Sequence, residues 1–222
     1  MKSMKIYASI LAADSLRLNT EIRRASNAGV DGLHVDVMDG HFVRDICFGP
    51  NMTRRIREVT SLPMDIHLMV EDPESFIDEY CRIGVDQITV HYRKGLDIPR
   101  LCSKVHAYGA AFCLAVCLED PLDEIFALLD QVDAVLVIAV TVGIGGQRFN
   151  PAALERVAVI SRAVRQRKRH IEISVDGGVN RACIGKLKLC GATAVVVGTA
   201  LFRESEMDKT LVDFRIAADQ KV

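Results

Sequence analysis

The chain has no tryptophan, and only 5% of its 222 residues are aromatic. Half of the residues are hydrophobic, so a core has to be built mainly from Val, Ile, Leu and Ala. The formal net charge of −1 offers no attraction to nucleic acid or to anionic lipid, and we expect neither as a partner. The most basic stretch, residues 162–169, lies within a helical pattern and is interpreted as a solvated helix face.

None of the seven cysteines forms a CxxC pair, which argues against a zinc knuckle or a thioredoxin-type motif. Scattered cysteines in an odd number are typical of reduced, mostly buried thiols in a cytosolic protein. The sequence has no stretch of 18 apolar residues, and its N-terminal segment lacks the apolar region and cleavage site of a signal peptide. We therefore expect a cytoplasmic protein with no membrane partner.

No Pro/Ser-rich linker or shift in composition divides the chain. Instead, short aliphatic runs of six to eight residues recur along it, with amphipathic stretches between them. The eight runs are residues 5–11, 31–38, 64–70, 86–92, 111–117, 133–140, 171–176 and 193–198. Their length and their content of β-branched residues are typical of buried parallel strands.

The stretches between the runs carry helix signals. Asp14 or Ser15 can cap the first helix, Pro73 suits the start of the third, and Pro121 and Pro151 mark the start of the fifth and sixth. Glycines in the segments NAGVD, RIGVD, AYGAA and LCGAT are placed to end a helix just before a strand.

Eight strand–helix units can form either an open doubly wound sheet or a closed barrel. Because nothing divides the units, we predict an α/β fold, a single-domain (β/α)8 TIM barrel over residues 1–222. In that fold, functional residues collect at the carboxyl ends of the strands.

Metal-binding residue types stand near the ends of three runs. His34 and Asp36 share one face of the second run by the strand period of two, His67 ends the third, and Asp176 ends the seventh. Two imidazoles and two carboxylates suit a divalent zinc, iron, manganese or cobalt ion. A single histidine is more often a core residue and a single aspartate more often a turn former, but four at converging ends favour a metal site.

Glycine-rich loops follow the last three runs and indicate an anion site. Backbone N–H groups at glycines can approach a phosphate closely, with a helix N-terminus behind them. The residues are Gly143, Ile144, Gly145 and Gly146, then Gly177 and Gly178, then Gly198 and Thr199. Ordinary turns would explain any one of these loops alone. Arg148 occupies the sixth position of the GxGxxG-like segment, so we reject a dinucleotide site there.

Four motifs give the chain a family resemblance: HVDVMDGHFV at 34–43, DIHLMVEDP at 65–73, GIGGQRF at 143–149 and VDGGV at 175–179. With them the chain resembles the ribulose-phosphate 3-epimerases, enzymes with a ribulose-phosphate-binding barrel. The resemblance implies that His34, Asp36, His67 and Asp176 bind the metal, and that Asp36 and Asp176 are also the catalytic acid and base. It implies substrate contacts by Ser9, His67, Gly143, Ile144, Gly145, Gly146, Asp176, Gly177, Gly178, Gly198 and Thr199, with Met38 and Met69 lining the pocket.

The implied activity is that of an isomerase of the pentose phosphate pathway, which interconverts D-ribulose 5-phosphate and D-xylulose 5-phosphate. Inversion beside a carbonyl needs a stabilised enediolate and one carboxylate on each face, so Asp36 and Asp176 should begin each turnover in opposite protonation states. The resemblance further implies one divalent metal ion (zinc before iron, manganese or cobalt), no organic cofactor, and a homo-oligomer, either dimer or hexamer.

Some positions depart from the family pattern. They are Ala8, Ala12, Cys117, Ile138, Thr141, Val142 and Ile144. The sixth-run loop keeps its glycines but has lost the Pro, the aromatic residue and the Met that are usual there. These changes leave open a related epimerase for another ketose phosphate, such as the hexulose phosphate allulose 6-phosphate.

Three further hypotheses concern other residues or another class of function. A Schiff-base aldolase would need a lysine at a strand end, and Lys94 is the candidate. A non-catalytic sugar-phosphate sensor would tolerate the loss of an acid/base carboxylate, yet both are present. His91, at the end of the fourth run, is expected to lie behind the metal ligands rather than among them.

Overall fold

The predicted barrel is confirmed by the computed structural model, which describes residues 3–220. The first two and last two residues of the predicted domain therefore lie outside the described part. The strands are β1 Lys5–Ser9, β2 Gly32–Asp39, β3 Ile46–Cys47, β4 Met64–Met69, β5 Gln87–His91, β6 Ala111–Val116, β7 Ala134–Ile138, β8 Glu172–Asp176 and β9 Ala194–Val197. All except β3 are parallel, and β1 pairs with both β2 and β9, which closes the barrel.

The short strand β3 was not predicted. It pairs antiparallel with the end of β2, with Met38 opposite Cys47 and Asp39 opposite Ile46. Two residues are too few to show a hydrophobic period, so the sequence carries no strand signal there. The hairpin lies at the carboxyl end of β2, beside the predicted metal ligands.

The helices lie between successive barrel strands, apart from the last two, which follow β9. They are α1 Leu18–Ala28, α2 Pro50–Val59, α3 Pro73–Ile83, α4 Ile98–His106, α5 Leu122–Leu128, α6 Ala152–Arg165, α7 Arg181–Cys190, α8 Thr199–Phe202 and α9 Met207–Asp219. Among these elements of residues 3–220, no helix combines the length and the apolar composition needed to cross a lipid bilayer.

The structure confirms the three helix starts that were predicted at prolines. Pro73 is the first residue of α3, and Pro121 and Pro151 directly precede α5 and α6. The predicted cap of the first helix is wrong in detail. The Asp14 carboxylate accepts a hydrogen bond from Leu16 N and so caps a short 3-10 turn, Ser15–Arg17, that comes directly before α1.

In three of the four segments predicted to end a helix with glycine, the structure confirms the prediction. Gly29, Gly84 and Gly191 directly follow α1, α3 and α7 and have positive φ, as a left-handed helix end requires. Gly109 instead lies three residues beyond the end of α4, because a turn separates that helix from β6.

The apolar side chains form two layers. The larger cluster fills the space between the barrel and its helices and includes the fully buried Tyr80 and Phe112. The smaller one fills the barrel interior with Cys113, Ala115, Ala134, Leu136, Ile138 and Val196, against which Tyr7 packs. Apolar side chains therefore fill the interior below the predicted metal ligands.

Four side chains tie neighbouring strands together at the amino end of the barrel. Asp31, Asp86 and Asp133 directly precede β2, β5 and β7, and each accepts a hydrogen bond from a backbone N–H of the preceding barrel strand, at 2.8, 2.8 and 2.9 Å. Thr193 occupies the equivalent place before β9, where its hydroxyl accepts from Ile173 N at 3.0 Å. The barrel is thus held at this end by a contact repeated once for every two strands.

Asp133→Asn should destabilise the fold by about 1–2 kcal/mol at pH 7, because the aspartate also accepts hydrogen bonds from His106 and Arg169. Burial alone would raise the pKa of Asp133, but these partners and Phe112 N lower it. A lowered folded-state pKa gives stability that is present above the unfolded value of about 3.9 and is lost as pH falls through the folded pKa. Urea unfolding of both proteins at pH 7 and below pH 4 would measure this, and the difference in free energy of unfolding between the variant and the unsubstituted protein should be smaller at the lower pH.

The control for this prediction is Asp130→Asn. The Asp130 side chain is 70% exposed and lies 3.6 Å from Arg167, so its loss should change the free energy of unfolding by less than about 0.5 kcal/mol. Equal effects of the two substitutions would contradict a specific role for Asp133.

Candidate metal centre

The four predicted ligands lie together at the carboxyl end of the barrel. His34 and Asp36 are on β2, His67 is on β4 directly opposite Asp36 in register, and Asp176 is the last residue of β8. One ligand atom from each lies within 4.8 Å of the others. Asp36 is buried and Asp176 is partly buried. Carboxylates in such places need a partner, and this donor set fits one divalent transition metal ion.

Three of the ligand atoms converge closely. His34 Nε2 lies 3.1 Å from His67 Nδ1 and 3.3 Å from Asp36 Oδ1. His67 Nδ1 lies 3.2 Å from the same Asp36 oxygen. The other oxygen of Asp36 accepts a hydrogen bond from the Ser9 hydroxyl at 2.9 Å. Nε2 of His34, Nδ1 of His67 and Oδ1 of Asp36 are therefore the atoms placed to hold a cation.

The two aspartates of the centre have opposite pKa shifts. Burial alone would raise the pKa of Asp36, but the charges and hydrogen bonds of His34 and His67 hold it well below its ordinary range. Burial raises the pKa of Asp176; the positive charge of His34 offsets part of this, and the negative charge of Asp36 adds to it. The pKa values of the two carboxyl groups are therefore shifted apart, and Asp36 loses its proton more readily than Asp176.

Two residues that were not among the predicted site residues lie behind His34. Asp65 Oδ2 is 2.8 Å from His34 Nδ1, and Thr89 Oγ1 donates to Asp65 Oδ1 at 2.6 Å. All three side chains are buried. Burial alone would raise the pKa of Asp65, but the charge and the hydrogen bond of His34 outweigh this effect and lower it. The strand period of two was the available signal, since it places Asp65 on the same face as His67.

His91 is not among the four converging residues. Its Nε2 lies 2.8 Å from Nε2 of His67, the ring nitrogen that points away from Asp36. Burial lowers the pKa of His91 well below its ordinary range, so the ring is neutral and can accept a hydrogen bond from His67. Phe42, from the loop after β2, packs against the His91 ring at 5.0 Å between centroids.

A cavity of about 960 Å³ opens over the centre. It is lined by every residue predicted to bind substrate: Ser9, His67, Gly143, Ile144, Gly145, Gly146, Asp176, Gly177, Gly178, Gly198 and Thr199. Asp36 and the two predicted lining methionines, Met38 and Met69, also border it. His34 does not, because it is fully buried behind the other ligands.

The glycine loops approach one another backbone to backbone. Gly178 has φ +66°, and a Cβ there would lie 2.3 Å from Phe149 N and 2.7 Å from the carbonyl carbon of Arg148. The loop after β8 therefore packs directly on the loop before α6, and only glycine fits at this contact. Both loops line the cavity.

Three cations of the cavity lining were not singled out as substrate ligands. Arg148, Lys186 and Arg203 are exposed at its rim, and none forms an ion pair with another residue of the described range 3–220. Glu204 lies in the same lining.

The departures from the family pattern divide into two groups. Ala12, Ile138, Thr141, Val142 and Ile144 line the cavity. Ala8 is buried in the outer core, and Cys117 packs on the barrel interior. Lys94, the candidate of the Schiff-base hypothesis, is exposed and does not border the cavity. The lysine that does border it, Lys186, lies within α7 and not at a strand end.

Comparison with known proteins gives a family match over residues 5–202, to the ribulose-phosphate 3 epimerase family. The ribulose-phosphate 3-epimerase of Bacillus subtilis (strain 168) is 33% identical over 213 residues, covering 96% of this chain and 98% of the relative. That of Methanocaldococcus jannaschii is 35% identical over 216 residues, covering 97% and 91%.

Among solved structures, 3-hexulose-6-phosphate synthase from Salmonella typhimurium matches with a TM-score of 0.70. The match covers 96% of this chain and 98% of the synthase, at 17% sequence identity. At that identity the likeness shows the fold alone.

Gly178→Ala should lower the free energy of unfolding by more than about 1 kcal/mol, because an added Cβ meets backbone atoms at a positive φ. Gly145→Ala is the matched control, since its nearest neighbour would be Leu11 Cδ2 at 3.9 Å and its φ is not positive. It should change stability by less than about 0.5 kcal/mol. Urea unfolding of both variants tests the backbone contact, and equal losses would count against it.

Proposed function

This chain belongs to the ribulose-phosphate 3 epimerase family, and we propose that it catalyses the metal-dependent 3-epimerisation of a ketose phosphate. The proposed pair is D-ribulose 5-phosphate and D-xylulose 5-phosphate. The observation that carries the proposal is the convergence of His34, Asp36, His67 and Asp176 at the floor of the cavity. The chain is an isomerase by its relatives, and the substrate and mechanism are our proposals.

His34, Asp36, His67 and Asp176 would hold one divalent ion, with zinc proposed before iron, manganese or cobalt. A bound cation would supply Lewis-acid stabilisation of the negative charge that develops on the substrate oxygens. No organic cofactor is included in the proposal, because proton removal beside a carbonyl needs none.

Asp36 and Asp176 are the proposed acid/base pair. They lie on β2 and β8, and β1 and β9 separate these strands around the barrel, so the carboxylates approach the cavity from different sides. One would accept the proton from the carbon beside the carbonyl, and the other would return a proton to the opposite face. Ser9 orients Asp36 through its 2.9 Å hydrogen bond.

Met38 and Met69 are proposed to keep water from the reacting carbons. Each is 3% exposed, and both border the cavity beside the ligands. An apolar wall strengthens the electrostatic interactions of the charged groups that it surrounds.

The phosphate group is proposed to bind at the glycine loops. Residues 143–146, Gly177, Gly178, Gly198 and Thr199 all line the same cavity, so their backbone N–H groups are available to an anion. The rim cations Arg148, Lys186 and Arg203 would add long-range attraction for a sugar phosphate.

A second candidate substrate is a longer ketose phosphate, such as allulose 6-phosphate. Five of the seven departures from the family pattern line the cavity, and the metal ligands are not among them. This distribution supports an unchanged proton-transfer reaction with altered contacts to the rest of the sugar.

We also propose a cytoplasmic location and a homo-oligomeric state, a dimer or hexamer. All seven cysteines are free thiols, as a reducing compartment maintains them. The oligomer is proposed from the family resemblance alone. Light scattering would measure the molar mass, and a monomer at micromolar concentration would refute the oligomer.

The test of the reaction is incubation of zinc-loaded protein with D-ribulose 5-phosphate in D2O. We expect D-xylulose 5-phosphate as product, with deuterium at the carbon beside the carbonyl, both read by NMR. Running allulose 6-phosphate in parallel ranks the two substrates by kcat/KM. Unchanged substrate without isotope exchange for both sugars would refute the epimerase and favour a sensor.

Asp36→Asn and Asp176→Asn should each lower turnover by at least about 100-fold, because each removes one of the two proton-transfer groups. The metal content of each variant is measured alongside, so that loss of the ion is separated from loss of the base. Asp130→Asn, with its exposed side chain, is the control and should keep normal turnover. Near-normal rates in both site variants would overturn the two-base scheme.

A further inference from the structure

We propose that Asp65, held in place by Thr89, is a positioning residue that presents Nε2 of His34 to the cation, so that cation affinity depends on the Asp65–Thr89 pair. The inference rests on the metal centre of the proposed function. It adds two residues that do not border the cavity and therefore touch neither substrate nor reacting atoms.

Asp65 determines which nitrogen of His34 carries the hydrogen. Asp65 and His34 are paired in register on adjacent strands, and Asp65 Oδ2 lies 2.8 Å from His34 Nδ1. An ionised carboxylate can only accept hydrogen bonds, so Nδ1 must donate. In a neutral imidazole the lone pair is then on Nε2, which is the nitrogen that faces His67 and Asp36.

Thr89 fixes the orientation of the carboxylate. It lies on β5, is fully buried, and donates from Oγ1 to Asp65 Oδ1 at 2.6 Å. Both oxygens of Asp65 are therefore engaged, one by Thr89 and one by His34, and rotation of the carboxylate would break both hydrogen bonds. A carboxylate that is 5% exposed would be costly to bury without such partners.

The two histidine ligands have different outer partners. The outer nitrogen of His34 meets the charged Asp65, whereas that of His67 meets the neutral His91 at 2.8 Å. A carboxylate behind a metal-ligating imidazole makes the imidazole a more basic metal ligand and holds its ring in place. Of the two histidines, His34 is therefore the one whose outer nitrogen faces a carboxylate.

The experiment measures Zn2+ and Co2+ affinity by competition with a chelator, starting from metal-free protein. We expect Asp65→Asn to weaken the binding of both ions by about 10–100-fold, the usual cost of losing such an outer partner. Thr89→Val should weaken binding by a smaller factor and Thr89→Ser should restore it, because serine keeps the hydroxyl. The Co2+ absorption spectrum should shift in Asp65→Asn, since the field at His34 changes.

Asp133→Asn is the control for a loss of stability without a loss of affinity. Asp133 ties strands together at the opposite end of the barrel, so this variant should unfold more easily in urea yet bind both ions with normal affinity. The Asp65 and Thr89 variants are unfolded in urea as metal-free proteins for comparison.

The outcomes distinguish failure of the positioning role from failure of the metal centre itself. If the unsubstituted protein binds neither ion, the metal centre itself is refuted and the positioning role falls with it. If the unsubstituted protein binds them and Asp65→Asn and Thr89→Val bind equally well, only the positioning role is refuted. Lower stability of these variants with unchanged affinity would reduce Asp65 to a structural residue.

Discussion

The burial of the Asp36 carboxylate is the constraint on which the rest of the site depends. A charge that is 4% exposed in an apolar barrel cannot be left without partners. Ser9 takes one oxygen, and His34 and His67 converge on the other. His34 then needs Asp65 on its outer side, so one buried charge organises a network that extends from the cavity into the barrel wall.

The barrel separates the contacts that hold it together from those that define its chemistry. Asp31, Asp86, Asp133 and Thr193 join neighbouring strands at the amino end, far along the strands from the cavity. The ligands and the glycine loops lie at the carboxyl end. Because stability does not depend on the loops alone, their side chains can differ from the family pattern while the strand-borne ligands stay in place.

The arrangement also explains how two similar carboxyl groups acquire different properties. Asp36 lies between two imidazoles and has a low pKa, whereas burial raises that of Asp176. Asp36 is held within β2, while Asp176 ends β8 beside the tight glycine turn of Gly177 and Gly178. Different surroundings rather than different residue types thus give the two carboxyl groups opposite pKa shifts.

The eight barrel strands, the helix starts at the prolines and the shared face of His34 and Asp36 were predictable from the sequence, since they follow from local period and backbone chemistry. The position of Asp65 behind His34 and the packing of the Gly178 backbone on Phe149 became visible only in the folded barrel. Such contacts depend on strand register and on the meeting of loops far apart in the chain, and no local pattern encodes either of them.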